Sequence, residues 1–426
     1  MSLVRRAGVM TLWIVLLGLR PAMCASSEMP PDSVAQTVVY KYVNDVSSQG
    51  DVQSLQGVWL QAGESVLAQY QGTLPLPVAS LTKIATTLAA LHAWGPTHHF
   101  GTIVSITGPV RNGVVQGDLV IRGGGDPFFV SEDAMEVRRA LRQLGITRVT
   151  GKLVIVGDFY MNFTTNPLLA GKLLKHALQD GGGGPPPRRS KRGKVQATRR
   201  QTPSEPSIAI AGAIQTVDVF EGKQTPLIRR RSLPLVQILK RMNVYSNNAM
   251  AEMLTRELGG LEMMRRHAAQ AAGVPARALQ LINGSGLGAE NQLAPRTVCA
   301  LLVAIYNQLR PTKFTIADVF PVAGHDLGTI RRRHLPDDSV VKTGTLRNVS
   351  TLAGVLLTRV HGPVWFALIN QGGDLGGYRT QQDVLLGALM RHWGTVEHPL
   401  PDFSPTGRLT TSARNDILLH TRGEGG

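Results

Sequence analysis

Three short strings occur in one order along this chain: Ser80-Leu81-Thr82-Lys83, Ser246-Asn247-Asn248 and Lys342-Thr343-Gly344-Thr345. Each alone is common in proteins. Together, in this order, they read as one acyl-transfer site with a serine nucleophile and no metal. That reading constrains the fold. The parts of the chain carrying the strings must meet, and the long stretch between the first two must form a module of its own.

Acyl transfer by a serine needs a nucleophile, a base, donors for the developing oxyanion and a handle on the substrate. Leu81, Ile84, Ala85, Leu88 and Leu91 recur at helical spacing, so Ser80 falls at the start of a helix buried along one side. Three residues apart, Ser80 and Lys83 share a helix face. A lysine kept neutral by desolvation or by a neighbouring cation, for which Lys342 is a candidate, can take the serine proton. Ser246 and Asn248 fall on a turn between two helical patterns, Leu235–Met242 and Met250–Leu258. There Ser246 can relay a proton and Asn248 can hold the lysine and the substrate amide. Read alone, the string is a helix cap. Lys342 ends a β-type run that Thr343-Gly344-Thr345 continues. Gly344 leaves room for a substrate backbone beside the strand, and the lysine with two threonine hydroxyls suits a carboxylate. The N–H groups of Ser80 and Thr345 are the expected oxyanion donors. The plain alternative for this string is a strand end with a turn.

Apolar runs on both sides of Ala62-Gly63-Glu64 predict a hairpin from Gly57 to Tyr70. From about Phe100 to Phe163, β-type runs at Thr102–Ile106, Asp118–Ile121 and Lys152–Val156 alternate with Gly-rich turns and one amphipathic helix near Glu132–Leu144. Ser339–Lys342, Leu352–Thr358 and Val364–Asn370 predict consecutive antiparallel strands, and Gln381–Leu389 a final helix.

The formal net charge is +16 over 426 residues. Such a balance favours anionic partners. Arg5 and Arg6 before the apolar run Gly8–Leu19, then Ala22, Ala25 and Ser26, read as a secretory signal over 1–25, with an N-terminal anchor as the alternative. Four glycines and three prolines from Gly181 open a basic stretch, 181–206, with no apolar periodicity. It predicts a disordered loop. Without interleaved aromatics the loop reads as a tether to anionic wall polymer or a membrane surface, with no nucleic acid. Cys24 and Cys299 are the two cysteines. Cys299 sits in an apolar run and reads as a buried hydrophobe. His98-His99 reads as surface, and no cofactor or metal site is expected.

Further strings carry a resemblance. Gly123-Gly124-Gly125-Asp126-Pro127, Ser232-Leu233-Pro234-Leu235, Asn283-Gly284-Ser285-Gly286-Leu287, Pro321-Val322-Ala323-Gly324 and Gly328-Thr329-Ile330-Arg331 are similar to segments of the class C low-molecular-mass penicillin-binding proteins. These form the D-Ala-D-Ala carboxypeptidase/endopeptidase family, peptidase family S13. The chain departs from the family in Asn283, where an Asp is usual, and in having too little sequence for a third domain. The resemblance implies an α+β fold of the serine β-lactamase/DD-peptidase kind, an antiparallel sheet flanked by helices, with an inserted small α/β domain. It implies a peptidase domain over 30–99 and 230–400, the insert over 100–229, and a flexible tail over 401–426. The implied function is an exported serine D,D-peptidase in the periplasm or cell-wall space. It would act on peptidoglycan stem peptides through an acyl-enzyme on Ser80 and be inhibited covalently by β-lactams. Lys83 would be the base, with Ser246 and Asn248 as relay. Lys342, Thr343, Gly344 and Thr345 would bind substrate, and Asp158 would meet the amino group of the peptide side chain. A serine β-lactamase and an inactive wall-binding protein are the competing readings.

Overall fold

The structure, a computed structural model, describes residues 32–48, 50–179, 207–398, 400–407 and 413–418. The expected signal segment, Cys24 and the basic stretch 181–206 lie outside the described residues.

A five-stranded sheet joins distant parts of the chain in the order Val340–Leu346, Val349–Thr358, Gly362–Gly373, Gly50–Ala62, Ser65–Tyr70. Every pairing in it is antiparallel. All ten residues of Val349–Thr358 are buried, because both faces of the sheet are covered. Side chains alternate between the faces with period two. Ala353, Val355, Ala367 and Ile369 join Leu88, Val298 and Leu302 in one core. Leu352, Leu356, Phe366 and Leu368 join Val39, Leu386 and Trp393 in the other. The first core includes the Thr82–Trp94 helix. That helix is buried on all sides from Thr82 to Leu91, where its sequence spacing predicts one buried side. The difference arises because it runs between the sheet and the Leu235–Tyr245, Leu261–Ala272 and Pro295–Leu309 helices. A helix apolar nearly all round satisfies such a position. Cys299, on the Pro295–Leu309 helix, is fully buried, and burial pushes its thiol pKa up.

The intervening segment, joined by one strand from the C-terminal end, forms two further sheets around a separate core. One has six strands in the order Ile214–Val217, Leu153–Val156, Leu119–Arg122, Gly101–Ile106, Thr225–Arg231, Arg414–Ile417, with parallel pairs at its start. The other pairs Ala209–Ile210, Arg148–Val149, Val114–Val115 and Val110–Arg111. The Ser131–Gln143 and Pro167–Gln179 helices pack on this module.

The expected flexible tail is corrected where it is described. Phe403 is buried and stacks on Tyr306, and Arg414–Ile417 adds a strand beside Thr225–Arg231. One buried aromatic and a paired edge hold a segment whose polar composition suggested fraying. The last helix runs from Leu375 to Trp393, longer than its apolar pattern, because Asp374 caps it with a bond from Gly377 N–H at 2.5 Å. His98 and His99 are half-buried, His98 packing between Trp94 and Phe100, in place of the expected open surface.

Asp32 anchors the first described helix, Ser33–Ser47, to the end of the last one. Its carboxylate caps Val34 and Ala35 N–H and accepts from Trp393 Nε1 at 2.8 Å and His392 Nε2 at 3.0 Å. Burial by itself raises the Asp32 pKa, but these hydrogen bonds outweigh it and hold the pKa at about 2, against 3.8 for a free carboxyl. A depressed carboxyl contributes stability above its unfolded pKa and loses it as pH falls. Asp32→Ala is therefore expected to destabilise the fold at neutral pH by about 1–2 kcal/mol. In urea titrations the gap between wild type and variant should close as pH falls from 3.8 toward about 2.

Candidate active site

The turn that carries Ser80 is strained. Ala79 adopts φ +48°, in the left-handed region that side chains avoid. Its carbonyl lies against Gly286, where an added Cβ would come within 1.8 Å of it. Only glycine fits there. A single 3₁₀ turn, Ala79–Leu81, leads from this point into the Thr82–Trp94 helix. Ser80 is half-buried at the head of that helix and Lys83 is wholly buried beside it.

The Lys83 amine has three neighbours. Its Nζ lies 2.7 Å from Asn248 Oδ1, 2.6 Å from Ser285 O and 3.0 Å from Ser80 Oγ. The first two atoms can only accept. A neutral amine has two N–H bonds and one lone pair. Asn248 and Ser285 take the two protons, which leaves the lone pair facing the Ser80 hydroxyl. Burial lowers the Lys83 pKa to about 7, while the Glu252 carboxylate opposes the shift. Desolvation is thus the cause, rather than a cationic neighbour. Lys342 is itself pushed well below the usual lysine range, first by complete burial and then by Lys83. The two lysines repel one another when both are charged, and burial is the larger cause for each.

Ser285 offers its carbonyl because the other groups of its loop are occupied. Glu252 accepts Ser285 N–H at 2.9 Å, Asn283 Oδ1 accepts Gly286 N–H at 2.8 Å, and Thr86 Oγ1 donates to Gly284 O at 2.7 Å. Asn283 therefore performs an acceptor's task with its amide oxygen. Glu252 follows Asn248 by one helical turn on Asn248–Glu257. Its role escapes sequence inspection, since nothing in a lone helical Glu points to a loop more than thirty positions away.

Ser246 ends the Leu235–Tyr245 helix with φ +51°, and Asn247 caps the next helix through Met250 N–H. Asn248 is thus the first residue of that helix, just past the predicted turn. Ser246 Oγ lies 3.0 Å from Lys342 Nζ, whose other partner is Thr343 O at 2.7 Å. Two non-glycine residues in left-handed conformations, Ala79 and Ser246, carry the serines of the site. Such strain costs on the order of 1–3 kcal/mol each and persists where surrounding structure enforces it.

Lys342 to Thr345 lie within a longer strand than predicted, Val340–Leu346. On the neighbouring strand, opposite Gly344, Thr351 Oγ1 donates to Val78 O at 3.1 Å and ties the sheet to the Ser80 turn. A Cβ at Gly344 would stand 2.9 Å from Ser80 N and 2.3 Å from Thr351 Oγ1. Thr343 Oγ1 donates to Thr329 Oγ1 at 2.8 Å, and Arg379 Nη2 donates to Thr345 Oγ1 at 2.9 Å. The accepted bond leaves the Thr345 hydroxyl proton for a ligand. Neither Thr329 nor Arg379 was singled out as a site residue in the sequence. Ser80, Ser246, Asn248, Thr343, Gly344 and Thr345 all line one cleft of about 1000 Å³.

Asp158 is the exception. It is not among the cleft-lining residues, and its carboxylate pairs with Arg256 at 2.8 Å. Beside it Tyr160 donates to Glu257 at 2.9 Å. This polar cluster joins the inserted module to the end of the Asn248–Glu257 helix.

Residues 40–161 and 197–389 match the profile of the D-Ala-D-Ala carboxypeptidase 3 (S13) family. The chain is 26% identical over 369 residues to Carboxypeptidase DacB of Mycolicibacterium smegmatis, spanning 74% of this chain and 75% of that one. To the D-alanyl-D-alanine carboxypeptidase DacB of Haemophilus influenzae it is 25% identical over 391 residues, 68% of this chain and 79% of the other. Two solved structures share the fold. A predatory endopeptidase of Bdellovibrio bacteriovorus, in complex with an immunity protein, superposes with a TM-score of 0.64 at 21% identity, covering 82% and 98% of the two chains. Penicillin binding protein 4 of Haemophilus influenzae, complexed with a β-lactam, gives 0.64 at 19% identity, covering 83% and 99%.

The close approach at Gly344 generates a prediction. Gly344→Ala adds a methyl against the Thr351 hydroxyl and the backbone of Val78 and Ser80, and overpacking of this kind costs about 1–3 kcal/mol. Denaturant unfolding should show that loss.

Proposed function

The chain belongs to the D-Ala-D-Ala carboxypeptidase 3 (S13) family, and on that premise we propose that it is an exported serine D,D-peptidase of peptidoglycan acting through an acyl-enzyme on Ser80. The observation that carries this reading is the Lys83 amine, buried, held by two acceptors and 3.0 Å from the Ser80 hydroxyl.

Neutral Lys83 takes the proton as Ser80 Oγ attacks the carbonyl of the penultimate D-Ala. The Ser80 and Thr345 N–H groups receive the oxyanion. The C–N bond then breaks, and the proton returns from Lys83 to the departing amine by way of the Ser246 hydroxyl, while Asn248 holds the lysine. Water releases the acyl group by the same steps reversed. The leaving residue's carboxylate accepts from the Thr345 hydroxyl, and from that of Thr343 once Thr329 donates to it in return. Lys342 lies behind them, and an arriving anion favours its protonated form. Gly344 lets the peptide lie along the strand.

Asp158 is left out of this assignment, because Arg256 already occupies its carboxylate outside the cleft lining. We assign the peptidase unit to 30–99 and 230–400 and treat 100–229 as the insertion. Among the described residues no helix is long and apolar enough to cross a membrane. Export and contact with anionic wall polymer rest on the charged leader, the net charge of +16 and the family's substrate. β-Lactams would acylate the same serine.

The test is release of D-Ala from a peptide ending in D-Ala-D-Ala. Wild-type protein is expected to release it, and Ser80→Ala and Lys83→Ala to lose about 10⁴-fold or more in kcat, because nucleophile and base act as a unit. Undiminished turnover in Ser80→Ala would overturn the assignment.

A further inference from the structure

We propose that arginines flanking the Lys342–Thr345 strand form a leaving-group subsite that selects peptides with a second carboxylate beyond the scissile bond. The proposal rests on the reading above and names the substrate class of the same cleft.

Two segments border the strand on the cleft side. The first follows Thr329, whose hydroxyl meets Thr343, and carries Arg331 and Arg332. The second is the Leu375–Trp393 helix, which presents Arg379, Asp383, Gly387 and Arg391 to the cleft. Those positions recur every four residues and so share one helix face. Arg379 also bonds Thr345 directly. All four arginines are exposed and line the cleft that holds Ser80.

Their charge has no internal counterweight. The one carboxylate lining the cleft, Asp383, is taken by Arg333, which reaches it through Nη2 at 2.6 Å and Nε at 2.9 Å. Among the described residues, none of Arg331, Arg332, Arg379 and Arg391 pairs with a carboxylate. Like charges gathered in a cleft repel one another, and an anionic ligand relieves that repulsion.

The position of the wall decides which part of a substrate it meets. Thr343 and Thr345 hold the carboxylate of the residue that departs, so groups flanking them face the departing part. A single departing D-Ala has one carboxylate, and the threonines engage it. The remaining cations fit a larger leaving group with a further carboxylate, as on the acceptor strand of a cross-link. That chemistry favours endopeptidase over carboxypeptidase action. Each guanidinium is exposed, so its individual contribution is small and screened by salt, and the preference comes from several acting together.

The experiment uses one acyl donor ending in D-Ala, joined to D-α-aminoadipate, to the side-chain amide of D-α-aminoadipate, or to D-Ala. The readout is kcat/KM for diacid over amide, with D-Ala release as the reference within each protein. Wild type is expected to prefer the diacid by about tenfold at low salt, with the preference shrinking as salt screens it. Arg332→Gln and Arg391→Gln, on separate segments, should each reduce the ratio by about twofold or more, and the combined variant should bring it close to one. A wild-type ratio near one, or a ratio that survives in the combined variant, overturns the proposal. Inhibition by polyphosphate without any diacid preference also overturns it, since the wall would then serve a phosphate polymer. Protein that releases none of the three leaving groups would instead refute the peptidase reading on which the proposal stands.

Discussion

An ammonium ion without a counter-charge is costly to bury, on the order of several kcal/mol after relaxation. Lys83 and Lys342 are both wholly buried, and the site is built around that constraint. No carboxylate forms an ion pair with either among the described residues. Lys83 instead meets an amide oxygen and a backbone carbonyl, which can satisfy two N–H bonds without fixing a third proton. The amine therefore gains most from being neutral, and its lone pair then has one hydroxyl within reach. Glu252 tempers the shift from a distance while spending its own oxygens on loop N–H groups. Neutralising Lys83 by burial also removes the charge that would otherwise suppress Lys342 further when a substrate carboxylate arrives.

The rest of the fold holds three remote pieces of chain at contact distance. The five-stranded sheet supplies the straight edge, the all-round buried helix supplies the serine and lysine, and the two helices around Ser246 close the far side. Precision comes from positions where no side chain fits or where backbone strain is enforced. Gly286 and Gly344 let neighbouring backbone reach the Ser80 turn, and Ala79 and Ser246 are held left-handed. Strain of this kind is stable only when packing on all sides resists relaxation. Here the buried core around Leu81, Ile84 and Met250 provides it.

Much of this was legible in the sequence, for identifiable reasons. Ser80, Lys83, Ser246, Asn248 and the Lys342–Thr345 strand stand in short strings whose residue types match their chemistry; Ser80, Ser246, Asn248 and Thr343 to Thr345 line one cleft, and Lys83 and Lys342 are buried against the two serines. The hairpin and the three consecutive strands have local apolar patterns and close turns, so they could be read directly. What escaped depends on long-range contact. The Ser33–Ser47 helix and the Arg414–Ile417 strand owe their places to Asp32, Trp393 and the open edge of Thr225–Arg231. Glu252, Thr329 and Arg379 act through partners remote in sequence. Asp158 was named from a local likeness alone, and nothing in the sequence signalled that Arg256 pairs with its carboxylate.

The central claim is that Lys83 is a neutral base at physiological pH, and its titration tests that most directly. Protein with ¹³C-labelled lysine, with the resonance assigned by comparison with Lys83→Arg, would be followed by NMR across the pH range, alongside the rate of acylation by a penicillin. The account predicts a Lys83 midpoint near 7 and an acylation rate that rises as pH passes through it. A midpoint at the ordinary lysine value of 10.5, with acylation still proceeding at neutral pH, would contradict it.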